Sequence, residues 1–245
     1  MAPIIKVSDN DYTALKQLGI RHQLIETPKE TRIVSASDFW KIPDIHYREE
    51  VLTADLSSKL LPVRTQQQHA EHRNLAQEGE FVTADMPFYI AMFKALFEQK
   101  DALEYAGQAR DFIRDTMRQR FPITLTRIAY SPEDKDTVTH NYGTKDGYKV
   151  RANIVGHDGL IQRGDKTALN AVLGTGDVKG LNKLFNWLNG TDLSIYRFNE
   201  KLKVETEAVA RLLTGLDFAR VYCSGLPDYA IASLGVRIIA RSAKK

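Results

Sequence analysis

The 245-residue chain contains a single cysteine, Cys223, so it cannot close an intramolecular disulfide. It has no basic N-terminal stretch followed by an apolar run, and its longest mostly apolar segment, residues 86–97, is interrupted by Lys94. A membrane-spanning helix needs about 20 apolar residues, so the sequence predicts neither a signal peptide nor a membrane segment. These absences favour a reducing compartment. We expect a soluble cytoplasmic protein with no membrane partner.

An excess of charge of one sign is also missing. Lysine and arginine number 34 against 31 aspartates and glutamates, so the net charge is only +3, far from the clustered basic surface of a typical nucleic-acid-binding domain. The 43% apolar and 27% charged residues exclude a disordered or fibrous chain. A chain of this length buries a core without metal or disulfide, and no cofactor is predicted. We expect one compact domain over residues 1–245, or two lobes, 1–122 rich in helix and 123–245 rich in strand with helices.

Hydrophobic periodicity and turn residues predict the elements. Residues 1–36 have the pattern of a small strand, helix, strand, strand unit, and residues 39–62 are expected to be irregular. Apolar residues at helical spacing predict helices at residues 85–97, 101–117, 177–190 and 205–213. Residues 65–77 are polar on nearly every face and are expected to form a bridging helix, a partner-bound segment or a loop. Alternation predicts strands at residues 123–130, 137–142, 148–155, 193–198, 218–223 and 234–240. Runs of helix and strand are segregated, which predicts an α+β fold with a mostly antiparallel sheet packed against helices and an N-terminal helix-rich part.

A glycine-rich turn, Gly174-Thr175-Gly176, precedes one predicted helix. That order is typical of phosphate loops, in which backbone N–H groups meet an anion at the helix N-terminus. Asp177 argues against such a loop, because a carboxylate at this position takes up the same N–H groups. A turn into a capped helix is the alternative that we favour.

Two histidines, His69 and His72, lie three residues apart on the predicted helix 65–77, so both imidazoles can face one side. A zinc site needs at least one further protein ligand, and nothing in the sequence selects it. The pair is a candidate metal site, with a solvated helix face as the alternative.

Proton-transfer groups stand near the ends of the predicted strands. His140 lies near the end of one strand, and His157 with Asp158 follows the next, so these residues form a candidate hydrolase site. The alternation of His140 with Val138 equally fits a half-buried structural histidine. No Gly-x-Ser-x-Gly elbow is present, and Cys223 is expected to be a small buried side chain.

A polar face follows the strands around residues 137–153. Lys149, Arg151 and Asn153 alternate with apolar residues, Asn141 ends the preceding strand, and Arg127 lies on the strand before it. These five residues would form a basic, hydrogen-bonding surface suited to phosphate groups. A solvated outer sheet face is the alternative.

No catalytic constellation in the sequence is complete. We therefore expect a non-enzymatic binding protein whose basic sheet face takes an anionic ligand or partner. The partner classes that fit are an acidic protein, a phosphate-bearing ligand or a nucleic acid. The alternatives are a hydrolase that uses His140 or His157 with Asp158, and a metal-binding protein that uses His69 and His72.

Overall fold

The computed structural model describes residues 38–161 and 165–243, and the unit predicted within residues 1–36 lies outside these ranges. The described residues form ten strands and five helices. The strands are β1 Phe39–Tyr47, β2 Glu50–Arg64, β3 Ile123–Tyr130, β4 Asp136–His140, β5 Tyr148–Ala152, β6 Gly159–Leu160, β7 Leu193–Tyr196, β8 Thr206–Thr214, β9 Ala219–Gly225 and β10 Ile231–Ala243. The helices are α1 Gln66–Leu75, α2 Met86–Glu98, α3 Ala106–Gln119, α4 Lys166–Leu173 and α5 Val178–Asn189.

The strands form two sheets. A three-stranded antiparallel sheet has the order β1-β2-β10, so the last described strand pairs with one of the first. The seven-stranded sheet has the order β5-β4-β3-β8-β9-β7-β6, and all its neighbours are antiparallel except β7 and β9. This is the predicted α+β class with mostly antiparallel pairing.

The helix-rich N-terminal part is not supported, because the described chain begins with β1 and β2. Residues 39–62 are therefore not irregular. The alternation of β1 is broken at Pro43 and Asp44, where the register shifts between Ile42 and Ile45 and Asp44 has a φ of 54°. Proline has no N–H to donate to a ladder, so a bulge is a position where a strand accommodates it. Because the bulge interrupts the alternation of buried and exposed residues, the sequence pattern does not indicate a strand here.

Residues 205–213 form β8 instead of the predicted helix. The segment contains alanine, leucine, arginine and glutamate, which are good helix formers. In the sheet, Ala208, Ala210 and Leu212 face the helices, and Val209 and Arg211 between them are buried as well. A central strand that is buried on both faces does not alternate between apolar and exposed residues, so its period is hidden.

The helices cover one face of the seven-stranded sheet. α3 packs against β8, α4 against β5 and α5 against β7, while α2 packs against β1, α4 and α5. The resulting core includes Phe93, Ile128, Phe185 and Val221. We call the opposite side of this sheet, which carries Arg127, the outer face. α1 lies beside it, because α1 packs against β3 and Arg127 donates a hydrogen bond to Gln66. β10 also packs there, where Ile231 contacts Ile123 and Val209.

Local capping fixes the helix ends. The carboxylates of Asp85 and Asp177 accept hydrogen bonds from Phe88 N–H at 2.9 Å and Gly180 N–H at 3.0 Å, which confirms the predicted starts of α2 and α5. α3 begins at Ala106 and not at Asp101, whose carboxylate pairs with Lys100. None of the helices in the described ranges has the length and apolar character that crossing a membrane requires.

Candidate functional site

His140 is buried in the core, and both of its ring nitrogens have partners. Nδ1 lies 2.9 Å from the Thr126 hydroxyl and Nε2 lies 2.8 Å from the Ala171 carbonyl oxygen. Burial lowers the pKa of His140 to about 4, against the opposing effect of the Ala171 hydrogen bond. A neutral ring with both nitrogens occupied joins β4 to α4 and has no free position for proton transfer.

His157 and Asp158 lie in the segment between β5 and β6 and make no hydrogen bond to His140. Both instead support Arg197, which follows β7. The Asp158 carboxylate accepts a hydrogen bond from the Arg197 backbone N–H at 2.7 Å, and the His157 carbonyl oxygen accepts one from the guanidinium at 3.3 Å. The His157 side chain is exposed. The three residues of the hydrolase hypothesis are therefore not brought together by any contact, and two of them hold an arginine.

His69 and His72 do not share a ligand position. His69 is fully buried, with Nδ1 at 2.8 Å from the Thr83 hydroxyl and Nε2 at 3.0 Å from the Ile231 carbonyl oxygen. Burial lowers the pKa of both histidines. Within residues 38–161 and 165–243, no group of three or more histidine, cysteine or carboxylate side chains could hold a metal ion.

The glycine-rich turn joins two helices instead of a strand to a helix. Gly174 caps the end of α4 with a φ of 71°, and its N–H donates to the Asn170 carbonyl oxygen at 3.0 Å. Asp177 then caps α5. The geometry agrees with a turn between capped helices.

Arg127 lies on the predicted polar face, but its guanidinium already has partners. It donates to Gln66 and Glu207 at 2.8 Å each, and to the Tyr142 hydroxyl at 2.6 Å. The guanidinium carbon also lies 3.6 Å from the centroid of the Tyr142 ring. Lys149 is opposite Thr139 on the same face and is exposed. Arg127 thus ties β3 to α1 and β8, and Lys149 remains a solvated charge at the sheet edge.

Asn141 is separated from the other four predicted residues and lines a cleft of about 1050 Å³. It is buried with a φ of 48°, and its amide donates to the Tyr47 hydroxyl at 3.3 Å and to Asp146 at 3.1 Å. Tyr47 in turn donates to Asp85 at 2.7 Å. Burial raises the pKa of Tyr47 and raises that of Asp85 to about 6. This network joins the start of α2 to the β4–β5 connection.

The same cleft has no excess of positive charge. Four arginines line it together with five carboxylates, and three of the arginines already form ion pairs. Those pairs are Arg73 with Asp146 at 2.8 Å, Arg237 with Asp55 at 2.6 Å and Arg241 with Glu50 at 3.0 Å. An anion gains little from such a lining, because the carboxylates outnumber the arginines and three of the four arginines are already paired.

Arg151 and Asn153, by contrast, line one pocket of about 400 Å³ at the edge of the seven-stranded sheet. Lys135, Thr167 and Arg197 line it too. Three cationic side chains therefore surround it against a single lining carboxylate, Asp165. Arg151 and Arg197 form ion pairs with Asp134 and Asp165, and Lys135 forms none among the described residues. We call it the edge pocket.

Hydrogen bonds accepted by Asp136 of β4 position one wall of the edge pocket. The fully buried carboxylate of Asp136 accepts from Ile154 N–H at 2.7 Å and Ser131 N–H at 3.1 Å, which holds the chain next to Asn153. Arg151 lies on β5 and pairs with Asp134 at 2.5 Å. The hydrogen bond from Lys135 N–H, followed by Arg151, lowers the pKa of the exposed Asp134. Arg151 is half exposed, so it is held at the pocket mouth and stays accessible.

Arg197 forms the opposite wall and is only 8% exposed. Its Nη2 pairs with Asp165 and donates to the His157 carbonyl oxygen at 3.3 Å, while its buried Nε has no hydrogen-bond partner. The guanidinium lies against Gly156, where an added Cβ would come within 2.5 Å of Nη2. A buried cationic donor without a partner is costly. The Nε atom is thus a buried donor without a partner among the described residues, on a side chain that lines a polar pocket.

The start of α4 adds further donors to this pocket. Thr167 and Ala168 lie in the first turn of α4. Asp165, which precedes the helix, pairs with Arg197, and its side chain makes no capping hydrogen bond. The first N–H groups of a helix need acceptors from outside it and carry partial positive charge. The pocket thus combines cationic side chains with the first described turn of α4, an arrangement that favours phosphate, sulfate or carboxylate.

Sequence analysis missed Arg197, Lys135 and the start of α4. One signal for Arg197 is present in the sequence, because it continues the alternation of Leu193 and Ile195, which are buried in β7. A charged residue in the buried phase of a strand needs a partner. No local signal links residue 151 to residue 197.

Comparison with known proteins gives no guide to the ligand. No protein-family model matches the chain, and neither the curated proteins nor the solved structures include a detectably similar one.

Proposed function

We propose that this protein binds a phosphate-bearing or similar small anion in the edge pocket and acts as a binding protein. The observation that carries the proposal is Arg197, which is nine-tenths buried at the pocket wall and has an Nε without a partner. Lys135 and Arg151 add positive charge, and Asn153 and Thr167 add hydrogen-bonding groups. A tetrahedral oxyanion has enough acceptor oxygens to reach several of these donors together.

Binding is favoured over catalysis because the described lining residues include no histidine or cysteine, and the lining carboxylate, Asp165, pairs with Arg197. Cys223 is fully buried, and burial raises its pKa to about 12, so its thiol is not activated. The hydrolase and metal hypotheses have no comparable support, since the nitrogens of His140 and His69 are occupied inside the protein.

Isothermal titration calorimetry with inorganic phosphate tests the proposal. We expect saturable binding to one site, weakened by Arg151→Gln and by Lys135→Gln. A hydrogen bond between charged groups contributes about 1.5–3 kcal/mol, so each substitution should raise the Kd about tenfold or more. Phosphate at a hundredfold excess over Kd should also stabilise the fold by about 2.7 kcal/mol, measured by chemical denaturation.

Lys149→Gln is the matched control. Lys149 lies two positions from Arg151 on the same strand and has the same charge, but it does not line the edge pocket. Its substitution should leave the phosphate Kd unchanged. Absence of saturable binding, or equal weakening by Lys149→Gln, would show that phosphate does not bind in the edge pocket.

A further inference from the structure

The outer face of β8, β9 and β7 carries aromatic and arginine side chains in register. Tyr196 pairs with Tyr222, and Tyr222 pairs with Arg211, so one row crosses the three strands. The next row contains Ser194, Arg220 and Leu213. Directly paired residues point to the same side of a sheet. We call these residues, with Phe218 and Tyr229 of the flanking turns, the tyrosine–arginine face.

The aromatic rings form a partly exposed platform. The rings of Tyr196 and Tyr222 are stacked with centroids 5.1 Å apart and an angle of 11° between their planes. Tyr196 is 38% exposed and Tyr229 is 62% exposed. Large apolar rings that face water on an ordered sheet are suited to a partner with flat apolar surfaces of its own.

The two arginines of this face lie over the rings and form no ion pair. Arg220 lies 4.8 Å from the Phe218 centroid and 5.6 Å from that of Tyr196, and Arg211 lies 5.9 Å from that of Tyr229. Among the described residues, no carboxylate forms an ion pair with either arginine. Arg127 and Arg151 on the same sheet each have such a partner. The positive charge of the tyrosine–arginine face therefore has no carboxylate partner among the described residues, and Arg211 donates a hydrogen bond to the Leu226 carbonyl oxygen at 2.8 Å.

Two buried polar atoms on these strands also lack hydrogen-bond partners. They are Nε of Arg211, a residue that is 7% exposed, and the hydroxyl oxygen of Ser224, two residues beyond Tyr222. Native structures leave few such atoms without a partner. The two atoms lie on the adjacent strands β8 and β9.

We propose that the tyrosine–arginine face binds single-stranded nucleic acid. Unpaired bases stack on Tyr196, Tyr222 and Tyr229, and the phosphates lie against Arg220. Aromatic platforms interleaved with arginine suit single strands because every base has a π face and a charged backbone. A duplex keeps its bases stacked internally and does not offer them to the tyrosines. An acidic peptide would use the arginines but has no planar groups for the rings.

Fluorescence anisotropy with a short labelled oligouridine tests this proposal. We expect saturable binding that weakens about tenfold with Tyr222→Leu or Tyr196→Leu, the loss expected when one stacked base is released. Tyr222→Phe keeps the ring and should retain the affinity. Arg220→Glu should weaken binding further and reduce its dependence on salt between about 50 and 200 mM. Thermal melting of each variant verifies that it is folded.

Three controls distinguish this face from general electrostatic attraction. Lys149→Glu reverses the charge of an exposed lysine on the same outer face but at the distant strand β5, and Phe121→Leu removes a 40% exposed ring outside the sheet. Both should leave the oligonucleotide affinity unchanged. Arg151→Gln, which impairs the edge pocket, should leave the oligonucleotide affinity unchanged too. The nucleic-acid proposal and the proposed anion site can therefore be rejected independently of each other.

Several outcomes would overturn the nucleic-acid proposal. They are absence of oligouridine binding, equal affinity for a duplex or for polyglutamate, and weakening by Lys149→Glu as large as that by Arg220→Glu. An oligouridine affinity that neither Tyr222→Leu nor Tyr196→Leu changes would also reject the proposal.

Discussion

At the scale of single residues, Asp85 is a carboxyl group whose environment disfavours its charged form. It is fully buried, and burial raises its pKa to about 6 despite the hydrogen bonds from Tyr47 and Phe88 N–H, which lower it. The folded protein therefore holds this proton more tightly than the unfolded chain does. Below about pH 4 both states are protonated, and as the pH rises from about 4 to about 6 the folded state loses the stability that this proton supplies.

Asp85→Asn removes this titration and keeps a side-chain oxygen that can cap α2. Relative to the natural protein, we expect the variant to gain about 3 kcal/mol of unfolding free energy between pH 4 and pH 7, since one unit of pKa corresponds to about 1.4 kcal/mol. Urea denaturation at several pH values measures that gain. Titration of His140 and His69 is common to both proteins and cancels in the difference. A difference that does not change with pH would contradict the assignment.

The buried polar residues also show what a sequence reveals at this scale. The sequence positions of His69 and His140 predicted a candidate metal ligand and a candidate catalytic residue. Their partners are the carbonyl oxygens of Ile231 and Ala171, 162 and 31 positions away in the chain. Such contacts are set by the whole fold, so sequence alone could not distinguish a reactive histidine from a satisfied one.

At the scale of elements, the helix ends with local capping groups were predictable and the buried strands were not. Asp85, Asp177 and Gly190 act on backbone groups within four residues, so their signals are local. β8 is buried on both faces and β1 contains a bulge, and these features hide the period of two. Predictability thus depended on whether the stabilising partner lies nearby in the chain.

The end of α4 provides a test of its packing against α2. Gly174 has a φ of 71°, and an added Cβ would lie 2.8 Å from Cβ of Pro87. Gly190 has a φ of 80° and open space around it. Gly190→Ala should cost about 1–2 kcal/mol for the left-handed backbone alone. Gly174→Ala should cost about 1–3 kcal/mol more because of the steric overlap.

Equilibrium denaturation of the two glycine variants measures these costs under the same conditions. The destabilisation of Gly190→Ala measures the cost of the left-handed backbone. The additional destabilisation of Gly174→Ala measures the steric overlap with Pro87. Equal destabilisation of the two variants would show that α4 and α2 do not approach each other as described.

At the scale of the whole molecule, the edge pocket is a product of sheet topology. β5 and β7 lie far apart in the strand order, yet the chain after β5 reaches the chain after β7, where Gly156 N–H donates to the Phe198 carbonyl oxygen at 2.9 Å. That crossing brings Arg151 and Asn153 to Arg197. The sequence predicted two members of the pocket because alternation is local. The third member, Arg197, could not be predicted, because its position depends on the path of the chain between β5 and β7.

The central claim is that an anion binds at the partnerless Nε of Arg197, and NMR observes this group directly. In ¹⁵N-labelled protein, the Nε–H resonance of Arg197 is assigned by its loss in Arg197→Lys and followed during titration with inorganic phosphate. We predict a large, saturable shift of this resonance with the same Kd as calorimetry, and no comparable shift for Arg127, whose Nε already donates to Gln66. An Arg197 resonance that stays in place while phosphate binds elsewhere, or not at all, would contradict the account.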